Sequence, residues 1–415
     1  MIVDTHSGKV RGTEVGAVTA FRGIPYARAA RFEDPEAVIP WVGVLDAECN
    51  GPAAPQTRSR LSAVMGEFDI SQSEDCLSVN VWAPSGSGLP VLVFLHGGGF
   101  ISGAGDLPWY DGAELAARGN IVVVTANYRL GALGFLRLDG VSPGNLGLLD
   151  QLAALRWVRD NIAGFGGDPS GVTVAGQSAG ALSILAALSS HRADGLFRRA
   201  ILQSAPAGMD PQTPAAAERV GAALLDELGI EPGAASSLID VPVSDLLAAQ
   251  TAVMRRTTGP MNPVPPFHLV ADGDLVPSDP VGVVGMTCRE VDLTVGTTRD
   301  EAAAFAPGEP DVIRAVTERM FAAPARRLAL LLGTGERAPW LYRFDWSPTD
   351  SPFGACHCIE LPFVFGNPAA WRDAPMLGGQ YPDRLAARVM RAWIGFIRGG
   401  APGWARGTTH LFDES

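Results

Sequence analysis

The chain has 415 residues, of which 47% are apolar and 18% are charged. This composition supplies a large hydrophobic core and excludes an intrinsically disordered chain. Acidic residues outnumber basic ones by 44 to 32, and the formal net charge of −12 argues against the basic surface that nucleic-acid binders use.

Short apolar segments alternate with helical patterns along the chain. The predicted strands, in chain order, cover residues 91–95, 121–126, 172–175, 200–203, 291–296 and 340–345. The predicted helices cover residues 112–118, 145–161, 181–188 and 215–228. This alternation predicts an α/β fold with a mostly parallel central sheet flanked by helices. Residues 211–260 are rich in alanine, leucine and acids, and we interpret them as a helical insertion within a single domain spanning residues 1–415.

The ends of the chain and the cysteines predict a simple setting. The first residues lack the basic run and apolar stretch of a secretory signal, so we expect a cytoplasmic bacterial protein. No apolar run reaches the roughly 18 residues of a membrane span. The five cysteines are an odd number and do not match zinc spacing, so we expect neither a disulfide framework nor a metal site.

The strongest chemical signal is Gly-Gln-Ser-Ala-Gly at residues 176–180. It follows a predicted strand and opens an apolar helix, which is the strand–turn–helix context of a nucleophile elbow. In that setting Ser178 lies at the tip of a strained turn and is a candidate nucleophile. The alternative is a helix N-cap serine that follows a glycine turn.

A serine nucleophile also needs donors aimed at the developing oxyanion. His-Gly-Gly-Gly-Phe at residues 96–100 directly follows a predicted strand, at the position that supplies such donors in α/β-hydrolases. We therefore predict an oxyanion hole made by the N–H groups of Gly98, Gly99 and Ala179. The alternatives are a flexible glycine turn and a phosphate-binding loop, but the latter lacks its Gly-Lys-Ser/Thr sequence.

The base should be a histidine late in the chain, because the chain order of this site is serine, acid, histidine. His357 and His410 remain as candidates. We favour His357, since His410 lies five residues from the C-terminus, where chains fray. No metal or organic cofactor is needed by such a site.

The acid should follow a late strand, and residues 291–296 form that strand. Asp300 and Glu301 come next, and the residues alone leave both open as partners of the imidazole. Asp272 and Asp274 are rivals in a segment that is typical of a turn.

Further motifs extend the pattern beyond the elbow and the glycine loop. They are Phe-Arg-Gly-Ile-Pro-Tyr at 21–26, Ser-Glu-Asp-Cys-Leu-Ser-Val-Asn-Val at 73–81, Asn-Tyr-Arg at 127–129 and Gly-Phe-Gly-Gly-Asp-Pro at 164–169. Together they resemble the type B carboxylesterase and cholinesterase family, which includes bacterial para-nitrobenzyl esterases. The resemblance runs from about residue 7 to the end of the chain. It implies an α/β-hydrolase fold with helical insertions and a serine carboxylesterase acting on small-molecule esters.

The resemblance also implies roles for single residues. The family's acid falls on Glu301 and its base on His357. A family serine that hydrogen-bonds the acid falls on Ser204. In the family a cysteine pairs with the position of Cys76, but that partner is missing here and nearby Cys49 is the only substitute we consider.

One departure concerns the substrate cleft. The segment between Glu301 and His357 is shorter than the family usually shows, so we expect trimmed helices and a wider or shallower cleft. The acidic net charge predicts that anionic esters are mildly disfavoured.

Two alternative functions are considered. One is an acyltransferase that uses the same triad, and the other is a catalytically silent cholinesterase-like binding module. The sequence makes no prediction of oligomeric state.

Overall fold

The computed structural model describes residues 1–259, 261–288 and 290–414. The strands are β1 (Ile2–Thr5), β2 (Gly8–Arg11), β3 (Thr13–Val15), β4 (Val18–Pro25), β5 (Val44–Asp46), β6 (Ser78–Pro84), β7 (Leu89–Leu95), β8 (Val122–Ala126), β9 (Arg137–Leu138), β10 (Ser142–Pro143), β11 (Gly167–Gln177), β12 (Arg199–Gln203), β13 (Asp292–Thr298), β14 (Trp340–Phe344) and β15 (Thr409–Phe412). The helices are α1 (Ser62–Met65), α2 (Ala113–Gly119), α3 (Gly131–Phe135), α4 (Leu146–Asn161), α5 (Ala179–Leu188), α6 (Pro214–Leu228), α7 (Val243–Thr257), α8 (Pro280–Thr287), α9 (Pro310–Thr317), α10 (Ala323–Leu332), α11 (Leu361–Phe365) and α12 (Asp383–Ile397). Within the described ranges, no helix combines the length and apolarity that crossing a bilayer requires.

Ten strands form the central sheet in the order β15-β14-β13-β12-β11-β7-β8-β6-β4-β3. The seven neighbouring strands β15, β14, β13, β12, β11, β7 and β8 pair in parallel. At the other end of the sheet, β6 pairs antiparallel with β8 and β4, and β4 pairs antiparallel with β3. A small second sheet has the order β1-β2-β5. The predicted mostly parallel sheet flanked by helices is confirmed.

The central strands are apolar on both faces because helices cover both faces of the sheet. Along β7, Val91 and Val93 pack into one core cluster, and Leu92 and Phe94 pack into the other. Parallel pairing brings the carboxyl ends of β7, β11, β12 and β13 to one edge, where open α/β sheets place their ligands. The residues that follow these strands are therefore brought together there.

The helical segment expected at residues 211–260 lies between β12 and β13. It contains α6, a 3₁₀ stretch at Pro232–Asp240 and α7. Thr213 caps α6 by accepting the N–H of Ala216, and Gly229 ends the helix in a left-handed conformation. The chain thus leaves the carboxyl end of β12, at the edge of the sheet where the candidate site lies, and forms these helices before it returns to β13.

The cysteines carry no disulfide among the described residues. Cys49 is exposed and Cys76 is buried, and both are free thiols. Burial raises the pKa of the Cys76 thiol, which keeps it protonated and apolar in character. The pairing of Cys49 with Cys76 considered from the sequence is therefore absent.

Candidate active site

The turn between β11 and α5 holds Ser178 in a backbone conformation that few residues adopt. Its φ is 55° and its ψ is −121°, which costs a non-glycine residue about 1–3 kcal/mol. The Ser178 N–H donates to the Gln203 carbonyl oxygen at 2.8 Å, and the Ser178 carbonyl accepts the N–H of Leu182 at 2.9 Å. The neighbouring main chain therefore fixes the strained turn that the sequence predicted.

The glycines of the elbow allow α5 to pack directly on the sheet. A β-carbon on Gly180 would lie 2.1 Å from the Leu95 carbonyl oxygen, and one on Gly176 would lie 2.6 Å from the Gly180 carbonyl carbon. Both distances are far below van der Waals contact. Larger residues at either position would push the nucleophile away from the end of β7.

The glycine loop after β7 faces Ser178. A β-carbon on Gly98 would lie 1.9 Å from the Ser102 carbonyl oxygen, so only glycine fits this turn. None of the hydrogen bonds among the described residues uses the N–H of Gly98 or Gly99. Ala179 is the first residue of α5, and its N–H has no acceptor within that helix. The three predicted donors line the same cavity as Ser178.

Buried side chains behind the loop hold it in place. Tyr128 Oη donates to the His96 carbonyl oxygen at 2.7 Å, and the two rings stack with centroids 4.3 Å apart. Gln56 accepts the Gly103 N–H at 2.7 Å and donates to the Gly103 carbonyl at 2.9 Å. Burial lowers the pKa of His96 to about 4, so His96 is neutral and acts as a structural residue.

The predicted acid and base, Glu301 after β13 and His357 before α11, form a buried pair. His357 Nδ1 lies 2.5 Å from Glu301 Oε2, and both side chains are fully buried. The second carboxylate oxygen, Glu301 Oε1, accepts the Thr298 N–H at 2.8 Å. Asp300, the alternative that the residues left open, instead accepts the Ala355 N–H at 3.0 Å. The structure thus places Glu301, and not Asp300, against the imidazole.

The other rival residues lie elsewhere. His410 is on the edge strand β15, where its ring stacks on Trp404 with centroids 4.7 Å apart. Asp272 accepts the N–H groups of Asp274 and Leu275 in a bend, as the turn prediction implied. His410, Asp272 and Asp274 are not among the residues that line the Ser178 cavity.

The far nitrogen of the imidazole has a partner that the sequence did not suggest. Gln177 Nε2 lies 3.1 Å from His357 Nε2, and it donates to this nitrogen when Nδ1 carries the proton that faces Glu301. In the described part of the chain, no hydrogen bond joins Ser178 to His357. Catalytic hydrogen bonds are often completed only when substrate is bound.

The support expected from Ser204 is not formed. Ser204 is fully buried with φ 49°, but its Oγ has no hydrogen-bond partner among the described residues. The two Glu301 oxygens already bond Thr298 and His357. The hydrogen bond between Ser204 and Glu301 that the resemblance implied is therefore absent, and this expectation is corrected.

A second buried carboxyl, Glu360, lies behind the acid–base pair. Gln203 Nε2 donates to Glu360 Oε1 at 3.2 Å, and Trp393 Nε1 donates to Gln203 Oε1 at 3.2 Å. Burial and the nearby charge of Glu301 raise the pKa of Glu360 to about 7. Sequence reasoning missed Glu360, although it comes three residues after His357.

The cavity at Ser178 is narrow, with a volume of about 50 Å³. It is lined by the side chains or backbone of Ser59, Arg60, Leu61, Gly98, Gly99, Ser102, Ser178, Ala179, Pro206, Met209, Pro263, Val264, Pro265, Phe305, Met320 and Phe321. The rings of Phe305 and Phe321 also contact His357, with centroids 5.5 and 5.1 Å away. Apolar side chains thus fill much of the space around Ser178, and the expected wider or shallower cleft relative to the family stays a prediction.

A single π-helical turn, Glu318–Ala322, explains how a short segment closes the pocket. It lies between α9 and α10 and points Met320 and Phe321 at the Ser178 cavity. On the other side of this turn, Glu318 and Ala322 line an open cavity of about 900 Å³. Ser178 is not part of the lining of this outer cavity.

The described residues offer no metal site. Within them, no group of three or more His, Cys, Asp or Glu side chains is placed to hold a metal ion. The placement of Ser178, the backbone donors and the His357–Glu301 pair supports the chemistry of a serine nucleophile with an imidazole base and an oxyanion hole.

Comparison with known proteins gives the family of the chain and agrees with its fold. A sequence profile of the Carboxylesterase family matches residues 1–313 and 308–411. A probable N-octanoylanthranilate hydrolase of Rhodococcus erythropolis is 41% identical over 435 residues, covering 97% of this chain and 94% of the relative. The para-nitrobenzyl esterase of Bacillus subtilis is 40% identical over 448 residues, covering 97% of this chain and 90% of the relative. A solved para-nitrobenzyl esterase structure superposes with a TM-score of 0.90 at 36% identity, covering 100% of this chain and 96% of that one.

The fold and these relatives lead to one conclusion about identity. The sheet order, the elbow and the buried acid–base pair occur in one chain that is matched along most of its length. The chain belongs to the carboxylesterase family and is a serine carboxylesterase with the α/β-hydrolase fold.

Proposed function

We propose that the enzyme hydrolyses small-molecule carboxylic esters through an acyl-enzyme on Ser178. The observation that carries this proposal is the shared cavity of Ser178, Gly98, Gly99 and Ala179, with the buried His357–Glu301 pair beside it. His357 acts as base, Glu301 orients and stabilises the imidazolium, and the three N–H groups stabilise the oxyanion.

The reaction runs in two steps. Ser178 Oγ attacks the ester carbonyl carbon, its proton passes to His357 Nε2, and the collapsing intermediate expels the alcohol, which takes that proton. Water then attacks the acyl-enzyme with the same base, releasing the acid and restoring Ser178. In this structure the Gln177 amide contacts His357 Nε2. This contact must break, so that Nε2 can accept the Ser178 proton, before the first proton transfer.

A pair of serine variants on one helix tests the nucleophile. Ser178→Ala abolishes turnover of 4-nitrophenyl butyrate, by about 1,000-fold or more, and abolishes labelling by a fluorophosphonate. Ser183→Ala is the control, because Ser183 lies on the same helix, is buried and has no hydrogen-bond partner among the described residues. Retention of more than a few per cent of turnover by Ser178→Ala contradicts the proposal.

The same assay separates the competing functions. An acyltransferase with this triad forms mainly a new ester when an alcohol is added, whereas the proposed hydrolase forms mainly the free acid. A silent binding module reacts with neither the ester nor the fluorophosphonate. Product analysis of wild type with and without added butanol therefore distinguishes all three.

We also propose that residues 1–415 form one domain, with residues 211–260 as its helical insertion. Strands as distant in sequence as β3 and β15 belong to the same sheet, which supports this proposal. A single cooperative unfolding transition in calorimetry is the expected result, and two resolved transitions contradict it. The absence of a nucleic-acid partner and the cytoplasmic location stay predictions.

A further inference from the structure

The cavity at Ser178 contains one feature that ester hydrolysis does not require. Of the described residues that line it, Arg60 alone carries a charge. A neutral ester needs no cation beside the nucleophile, and the mechanism uses none. The presence of an arginine in an otherwise uncharged lining, in a chain with net charge −12, therefore needs a separate explanation.

The guanidinium of Arg60 lies against the oxyanion loop. Its Nη1 donates to the Pro263 carbonyl oxygen at 2.9 Å. Its Nη2 lies 3.1 Å from the position that a β-carbon on Gly99 would occupy. Gly99 supplies one of the proposed oxyanion donors, so the cation is close to where a substrate carbonyl is bound.

Arg60 has no carboxylate partner in the described part of the chain, although other arginines do. Arg58 pairs with Glu67, and Arg31 pairs with Glu74 at 2.5 Å. The ion pairs among the described residues do not include Arg60, whose only protein acceptor there is the Pro263 carbonyl. Burial lowers the pKa of Arg60 from its usual value, with no carboxylate acting against it.

A partly buried guanidinium without a counter-ion is costly, and an arriving anion offsets that cost. Arginine stays charged at neutral pH and presents N–H groups in a planar fork that matches a carboxylate. With Nη1 engaged by Pro263, the Nη2 side of the fork remains directed at the oxyanion loop.

We propose that Arg60 is a binding residue for substrates that carry a carboxylate close to the scissile ester. The preferred substrates are therefore anionic esters, in contrast to the mild exclusion of anions expected from the net charge. This inference rests on the proposed function of the Ser178 site. The local cation outweighs the distant acidic surface because salt screens charges beyond about 10 Å.

Matched ester pairs test the inference. One pair is 2-(butanoyloxy)benzoate and its methyl ester, which place the carboxylate on the leaving group. The other pair is 4-nitrophenyl hydrogen glutarate and 4-nitrophenyl methyl glutarate, which place it on the acyl group. Arg60→Leu is expected to lower the ratio of kcat/KM for the anionic over the neutral ester by about 10- to 100-fold in at least one pair.

Two further variants keep the result interpretable. Arg58→Leu removes a neighbouring exposed arginine that lies outside the cavity, and it is expected to leave both ratios unchanged. Arg60→Lys keeps the charge without the fork and is expected to restore part of the ratio. A ratio that moves less than threefold with Arg60→Leu in both pairs overturns the inference.

A binding measurement separates this inference from the proposed function. Calorimetric titration of Ser178→Ala with 2-(butanoyloxy)benzoate is expected to show binding that is lost when Arg60→Leu is added. Arg60-dependent binding without any wild-type turnover supports the anion site and overturns the hydrolytic proposal. Turnover of neutral esters with neither binding nor ratio dependent on Arg60 overturns only the anion site.

Discussion

The two sides of the active site are held in different ways. The nucleophile side, residues 96–103 and 176–180, is fixed mainly by main-chain hydrogen bonds and close backbone approaches at glycines, with Tyr128 and Gln56 bonding its backbone from behind. The acid–base side, residues 296–305 and 354–361, is fixed by buried side-chain contacts between ionisable and amide groups. The nucleophile side is therefore expected to be sensitive to added atoms, and the acid–base side to changes of charge.

The largest expected effect comes from neutralising the acid. Glu301→Gln keeps the shape but presents an amide to His357 Nδ1, which favours the wrong tautomer and removes the stabilisation of the imidazolium. We expect kcat for 4-nitrophenyl butyrate to fall about 10,000-fold with little change in fold. Asp300→Asn is the matched control and is expected to retain activity within about threefold. Equal losses in the two variants contradict the assignment of Glu301.

The next effect comes from adding one methyl group to the nucleophile side. Gly98→Ala places a β-carbon 1.9 Å from the Ser102 carbonyl oxygen, so the loop must move and its N–H donors with it. We expect kcat to fall about 100- to 1,000-fold. Gly88→Ala is the control, because Gly88 also has a positive φ, of 64°, but meets nothing within 4 Å. A Gly98→Ala enzyme within tenfold of wild type shows that the loop tolerates side chains.

A smaller effect concerns the charge of Glu360 and is read from stability. Its pKa of about 7 lies above the ordinary value of 4.5, so the folded protein holds a proton that the unfolded chain releases between these pH values. Stability contributed by this group is therefore full below about pH 4.5 and is lost as pH rises through about 7.

Glu360→Gln removes that dependence because its amide stays neutral. We expect the variant to gain up to about 3 kcal/mol over wild type in urea unfolding at pH 8, with the gain shrinking as pH approaches 5. The same change at exposed Glu14 is expected to leave the pH dependence unaltered. A gain of equal size at pH 5 and pH 8 excludes the titration of Glu360 as its cause.

The smallest effect sharpens the description of the pocket wall. Met320→Ala removes a buried side chain that limits the cavity of about 50 Å³. We expect the ratio of kcat/KM for 4-nitrophenyl octanoate over 4-nitrophenyl acetate to rise about tenfold. Met286→Ala, at an exposed position outside the cavity, is the control. An unchanged ratio shows that the acyl chain takes another path.

Sequence patterns predicted most of the backbone structure on the nucleophile side. The strand before residues 176–180 and the apolar helix after them predicted the turn, and the structure has β11, Ser178 and α5 there. The prediction succeeds because a nucleophile elbow is formed by residues close together in sequence. Its glycines are needed because a β-carbon there would clash with backbone a few residues away or with the neighbouring strand. The same local logic applies to the loop at residues 96–100.

Sequence patterns predicted fewer of the contacts on the acid–base side. Residue patterns alone left Asp300 and Glu301 open, and only the resemblance favoured Glu301. The structure adds Gln177 and Glu360 around the imidazole and leaves Ser204 without its expected bond. These contacts join residues from separate strands and loops, and spacing along the chain does not encode which side chain meets which.

The sequence by itself therefore determined six parallel strands of the central sheet and the turn that carries Ser178, since short-range hydrophobic and glycine patterns specify strands and turns. It also singled out the late His357 as the candidate base. Only the tertiary structure decided how the pocket is closed and charged. Met320 reaches the Ser178 cavity through a π-helical turn, and Arg60 reaches it from a loop more than 100 residues before the nucleophile. Both depend on packing between distant segments, where the available space and the missing counter-ion are properties of the fold and not of any one stretch of sequence.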